Sequence, residues 1–147
     1  MSDIVFRVLT EELTGERLDD LILISRDTPH ENWEESQYLT PLPGKWRLSR
    51  VCFSGETLLG YILASEKEPG RAHIHKFVVN PLFRGKGTGR NMLTDFINAL
   101  GEEFLNVTLK VYSDNQPAVR FYISQGFVLM GESEGLLLLG MNINHQD

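Results

Sequence analysis

Cysteine is nearly absent from this sequence: Cys52 stands alone among 147 residues, so no disulfide can form within the chain. Basic residues are also scarce, with 14 Lys and Arg against 20 Asp and Glu and a net charge of −6. That deficit argues against a general nucleic-acid binder, whose surface is basic. No apolar run approaches the length of a bilayer span. Residues 1–20 carry acidic and polar side chains throughout, without the apolar core of a secretion signal. A cytoplasmic protein without membrane contact is expected. No repeat, low-complexity tract or linker interrupts the chain, so residues 1–147 read as one domain with a single sizeable core.

Within those bounds the hydrophobic pattern predicts the elements in turn. Residues 4–9 read as a strand and 10–25 as a helix, with Leu13, Leu18, Leu21 and Ile22 on one side and Gly15 interrupting it. A short helix is expected over 31–39. Strands are expected over 46–53 and 57–64, joined at Ser54-Gly55-Glu56, and again over 72–79. Residues 88–100 place Met92, Leu93, Phe96 and Ile97 at helical spacing. A strand over 105–112 precedes a helix capped by Ser113-Asp114-Asn115, with Pro117 in its first turn. Residues 127–131 and 136–143 close the sheet as a hairpin. The order β-α-α-β-β-β-α-β-α-β-β is a mixed α/β class. The strand–helix–strand stretch over 72–112 implies a parallel pair with a right-handed crossover.

Between the fourth strand and its helix lies Arg84-Gly85-Lys86-Gly87-Thr88-Gly89-Arg90. Glycines let a ligand approach the backbone closely. The helix that follows points its unpaired N–H groups and positive dipole end at the turn, a recipe for holding phosphate. No Gly-Lys-Ser/Thr follows at P-loop spacing, and G-x-G-x-G is not the dinucleotide fingerprint G-x-G-x-x-G.

The stretches Val78-Val79-Asn80-Pro81-Leu82-Phe83-Arg84-Gly85-Lys86-Gly87-Thr88-Gly89 and Asn115-Gln116-Pro117-Ala118-Val119-Arg120-Phe121-Tyr122, followed by Gly126-Phe127, closely resemble the GCN5-related N-acetyltransferases. Arg84, Gly87 and Gly89 carry that family's pyrophosphate signature. The element order matches its fold over nearly the whole chain. The resemblance implies acetyl-CoA as donor, its pyrophosphate cradled by the backbone of Arg84, Gly85, Lys86, Gly87, Thr88, Gly89 and Arg90. The pantetheine arm would lie along Phe77 and Val79 between the fourth and fifth strands, with Asn115, Ala118 and Phe121 as further contacts. Val78 or a neighbour would offer its N–H to the acetyl carbonyl. Tyr122 would protonate the departing thiolate; its alternative role is packing beside Phe121.

His73 and His75 alternate along the fourth strand, so both imidazoles face one way. Many family members have Glu near position 75. Ala72-His73-Ile74-His75, with Phe83-Arg84 later, resembles the arylalkylamine branch, which implies that the histidines relieve the ammonium acceptor of its proton. An imidazole with an unperturbed pKa of ~6.5 suits that role. No Cys or Asp stands at ligand spacing to suggest a metal. His30 and His145 read as surface residues and Cys52 as packed within its strand.

Acceptor specificity is expected from residues 27–45 and the last hairpin. Glu31, Glu34 and Glu35, with Trp33 and Tyr38, could hold a cationic or aromatic amine by charge and cation–π contact, or form an ordinary solvated face over core aromatics. The expected acceptor is therefore a small primary amine, arylalkylamine or polyamine-like. An amino sugar or a protein amine is the alternative, and a coenzyme-binding module without catalysis the rival from another class. Monomer and homodimer are both compatible with the sequence.

Overall fold

The structure, a computed structural model, describes residues 3–27 and 33–143. The chain begins with β1 (Ile4–Val8), α1 (Glu11–Glu16), α2 (Leu18–Ile24), α3 (Glu35–Leu39) and α4 (Lys45–Leu48). There follow β2 (Arg50–Ser54), β3 (Thr57–Glu68) and β4 (Arg71–Val79), then a short 3₁₀ turn over Pro81–Phe83 and α5 (Thr88–Ala99). β5 (Asn106–Tyr112), α6 (Gln116–Ser124), β6 (Val128–Ser133) and β7 (Leu136–Asn142) complete it. All seven strands join one sheet in the order β1-β2-β3-β4-β5-β7-β6. Among the described residues only β4 and β5 pair in parallel. Among the described residues no helix is long and apolar enough to cross a membrane.

Both sheet faces are covered. On one, Met92, Leu93 and Phe96 of α5 and Tyr122 of α6 pack onto Ile62, Ile74, Leu109 and Val111. On the other, Leu21 and Ile24 of α2 and Tyr38 of α3 cover Val51, Tyr61 and Leu63. Burial of each large apolar side chain contributes about 1.5–3 kcal/mol.

Two expected elements take a different form. The helix expected over residues 10–25 divides at Arg17 (φ −109°, ψ 17°). Gly15 weakens the helix there. The Arg17 guanidinium is held elsewhere, donating to Asp20 at 2.9 Å and to the Glu56 carbonyl in the β2–β3 turn at 3.0 Å. The strand expected from Trp46 starts only at Arg50, because residues 45–48 coil into α4. Gly44 adopts a left-handed conformation (φ +72°) and accepts from the Leu48 N–H at 2.9 Å. The buried Lys45 ammonium then donates to the carbonyls of Gln37, Tyr38 and Thr40 at 3.2, 2.7 and 2.7 Å, which fixes α4 against the end of α3. Of the helix expected over 31–39, α3 supplies the part from Glu35, and residues 31–32 lie outside the described residues.

β4 carries the feature that positions the site. Its pairing with β3 slips by one residue: Leu63 faces Lys76, but Ala64 faces Ile74, so His75 is the extra residue of a β-bulge. Before the bulge Ala72 and Ile74 point into the α5–α6 core; after it Phe77 and Val79 do. His73, His75 and Lys76 are thereby all turned to the other face.

Candidate active site

β4 and β5 part company beyond the bulge. Their ladder runs from Arg71 with Asn106 to Ile74 with Leu109 and stops, although both strands continue, to Val79 and Tyr112. The wedge between them is a cleft of about 550 Å³. Phe77, Val78 and Val79 form one wall and Lys110 and Val111 the other, with Asn115, Ala118, Phe121 and Tyr122 of the α6 region behind. Arg84, Gly85, Gly87, Thr88, Gly89 and Arg90 close one end.

That end is shaped by its glycines. Gly85 and Gly87 have φ of +76° and +81°, and no atom lies within 4 Å of where a β-carbon would stand on either. Gly87 begins the 12-residue α5 and has no side chain to cap its first N–H groups. At Gly89 a β-carbon would stand 3.4 Å from the Phe121 ring, an ordinary contact that brings α5 against α6. Thr88 Oγ1 donates to the Phe83 carbonyl at 3.2 Å and ties the turn closed.

Every residue expected to contact the coenzyme lines this cleft except Lys86, which is exposed with its ammonium 5.5 Å from the centre of the Phe83 ring. Asn115 caps α6, accepting from the Ala118 N–H at 3.4 Å. Tyr122 reaches the cleft from within an aromatic cluster, its ring centroid 5.9, 5.3 and 5.6 Å from those of Phe77, Phe121 and Phe127.

His73 and His75 do not line this cleft; they lie on the opposite face of β4. Their ring centroids are 4.9 Å apart. His75 Nε2 hydrogen-bonds with Ser65 Oγ at 2.6 Å and His73 Nδ1 with Thr108 Oγ1 at 2.8 Å. Burial pulls the pKa of each down to about 4, helped for His73 by His75, Lys67, Lys110 and Arg71, and for His75 by Lys67 and Lys45. Both rings are therefore neutral at pH 7, rather than poised near 6.5.

The expected acceptor residues are dispersed. Tyr38 is a core residue: fully buried, with its hydroxyl 3.2 Å from Ser25 Oγ and 3.0 Å from the Tyr61 hydroxyl. It has no surface to offer a ligand. Trp33 packs edge-on against it, ring centroids 5.4 Å apart, with the Lys45 and Lys76 ammoniums 5.8 and 5.6 Å from the Trp33 ring centre. The ring thus already serves cations of the protein. Glu34 is an exposed capping-box residue whose N–H donates to Gln37 Oε1 at 2.7 Å. Glu35 is exposed on α3, while Glu31, His30 and His145 lie outside the described residues. Cys52 is buried, and its pKa is pushed up to about 11 by burial and by the Asp95 carboxylate, which makes it inert as a nucleophile.

Four lining residues were not expected: Asp27, Lys110, Val111 and Pro117. The strand pattern could have found Lys110 and Val111 at the end of β5, where it no longer pairs with β4. Nothing local signals Asp27.

Residues 16–127 match the acetyltransferase (GNAT) family. The chain belongs to that family. This GNAT chain is 35% identical over 82 residues to the N-alpha-acetyltransferase RimI of Mycobacterium tuberculosis, covering 53% of the chain and 50% of that protein. It spans half the length or less of the curated relatives it matches. Among solved structures it is similar to Ard1 from Thermoplasma volcanium, with a TM-score of 0.83 at 22% identity over 97% of this chain and 99% of that one. It is also similar to the PaiA N-acetyltransferase from Thermoplasma acidophilum, solved with coenzyme A, with a TM-score of 0.73 at 18% identity over 95% and 99% of the two chains. At those identities the structural likeness speaks for the GNAT fold, the mixed sheet and its two covered faces.

Proposed function

We propose that this protein transfers the acetyl group of acetyl-CoA directly to a primary amine. The observation that carries the reading is the wedge between β4 and β5, closed at one end by a glycine turn and the start of α5. The residues fit the coenzyme. Uncapped N–H groups and open space at Gly85 and Gly87 suit a diphosphate, and the edge of β4 beyond Ile74, free of β5, suits the amides of a pantetheine arm. Asn115, Ala118 and Phe121 line the wall beside it. When bound, acetyl-CoA supplies an acetyl group activated as a thioester. Likeness to a neighbour solved with coenzyme A supports this assignment.

The chain's own groups divide the proton work. Tyr122, in the cleft, donates its phenolic proton to the thiolate as it leaves. His75, with His73 behind it, accepts the proton that the acceptor ammonium gives up. Neutral rings can accept, and their weak basicity makes them relays that pass a proton on through water rather than hold it. Ser65 and Thr108 keep both rings oriented.

The same face narrows the acceptor. Lys67, Arg71 and Lys110 act electrostatically on His73, and Lys67 and Lys45 on His75. A polycation is repelled there, which weighs against polyamines, while a monoamine is helped to shed its proton. We read the acceptor as a small arylalkylamine-type monoamine on the strength of the paired histidines. A second reading, the α-amine of a peptide, is supported by the likeness to RimI, named as an N-alpha-acetyltransferase.

The test is coenzyme A thiol release from acetyl-CoA with aromatic ethylamines, spermidine, amino sugars, short peptides and a no-amine control. Turnover with the aromatic amines is expected. Turnover confined to peptides selects the second reading, and release no faster than the control, despite coenzyme binding, overturns the transferase reading.

A further inference from the structure

Asp27 follows the end of α2, and its carboxylate lines the same cleft as the glycine turn. Arg84 grips it with both ends of its fork, NH1 to Oδ2 at 2.6 Å and NH2 to Oδ1 at 3.0 Å. The third bond of the guanidinium runs from Nε to the Val79 carbonyl at 3.1 Å. So the arginine that leads the diphosphate-binding turn already has an anion on its fork.

We infer that Asp27 sets the affinity of this cleft for its coenzyme by competing with the diphosphate for Arg84. The inference rests on the reading of the cleft as a coenzyme site. Three observations support competition over simple positioning. First, Asp27 and Arg84 side chains are 49% and 44% exposed, and an ion pair that open is weak and yields to a ligand of higher charge. Second, Arg84 does not depend on Asp27 for its place, because the Val79 carbonyl, on the cleft wall itself, also holds it. Third, the carboxylate stays charged: Arg84 keeps its pKa below the usual carboxylate range. A diphosphate entering the turn therefore meets a fixed negative charge in its own cleft, and loses affinity to it.

The chemical consequence falls on the product. A carboxylate waiting at Arg84 re-forms its pair as the diphosphate withdraws, so coenzyme A leaves faster than an all-cationic cradle would let it. Asp27 thus touches neither acceptor nor thioester and acts only by competing for Arg84.

Calorimetric titration decides it, with coenzyme A as one probe and pantetheine, which has no diphosphate, as the other. Asp27→Asn is expected to bind coenzyme A roughly three- to tenfold tighter, the size of one screened charge–charge interaction. Its affinity for pantetheine should match the wild type, and Asp27→Glu should restore wild-type binding of both. Thermal melting checks that the variants fold; Asp27→Ser, at the same half-exposed position, replaces the Asn variant should that one not fold. Unchanged or weaker binding of coenzyme A by the Asn or Ser variant overturns the inference, as does an equal gain for pantetheine. A wild-type protein that binds neither probe overturns the coenzyme reading, and this inference with it.

Discussion

The rings of His73 and His75 meet edge to face, centroids 4.9 Å apart and planes at 69°, on one side of a strand that shifts register at His75. Hydroxyls from both neighbouring strands hold the pair, Ser65 from β3 and Thr108 from β5. The histidine pair and the side chains of Phe77 and Val79 that wall the cleft thus occupy opposite sides of one strand, and the bulge at His75 makes the exchange of faces.

That placement predicts an unusual pH–rate profile. With both pKa values drawn down to about 4, the histidine-dependent acid limb of kcat/KM should fall near pH 4–5, not near 6.5. Replacing His73 and His75 together by Gln should remove the limb. A limb that persists unchanged in the double variant takes the histidines out of the reaction.

The same shifts predict acid sensitivity of the fold. The rings are neutral in the folded protein down to about pH 4 and become charged near pH 6.5 once unfolded. Between those values the unfolded chain binds more protons, so stability is full above pH 6.5 and is lost as pH falls toward 4. Urea denaturation at pH 7.5 and pH 5 should differ by about 4 kcal/mol from this pair. The double Gln variant should lose that share of the difference.

Tyr122→Phe separates binding from chemistry. The ring keeps its contacts with Phe77, Phe121 and Phe127, so coenzyme affinity should stay within about twofold. Without the phenolic proton, kcat should fall by roughly 10²-fold or more. Steady-state kinetics with a titration of coenzyme A distinguishes the two effects, and an unaltered kcat rules Tyr122 out as the acid.

Lys45 predicts a stability effect remote from the cleft. Its ammonium gathers the carbonyls of Gln37, Tyr38 and Thr40, and burial pulls its pKa down to about 8. Lys45→Met fits the volume but strands those acceptors, so a loss of about 2–4 kcal/mol is expected at pH 7. A urea midpoint shifted at constant slope is the readout.

Legibility in the sequence followed the range of the interactions. The glycine turn, the Asn115 cap and the Phe121–Tyr122 pair are local patterns, and the structure gathers them at one cleft as expected. Alternation correctly put His73 beside His75, but it gave no hint that β4 changes register at the second histidine, because a bulge is set by the partner strand. Residues 46–48 carry a strand pattern because Trp46 and Leu48 alternate with polar residues over a short window, while the buried ammonium that settles the matter belongs to the preceding residue. Tyr38 was equally consistent with a pocket and with a core; only its contacts with Ser25 and Tyr61, from distant segments, decide it. The Asp27–Arg84 pair spans 57 residues and left no trace in the sequence.

The strand order has a consequence for how the molecule is made. β7 comes last yet lies between β5 and β6, bonding to both. Until residues 136–142 dock, Val128, Leu129 and Met130 have no strand beside them. These three side chains are at least half exposed even afterwards, so until then β6 is an apolar, sticky strand. Docking of β7 is thus the step at which aggregation competes most directly with completion of the sheet.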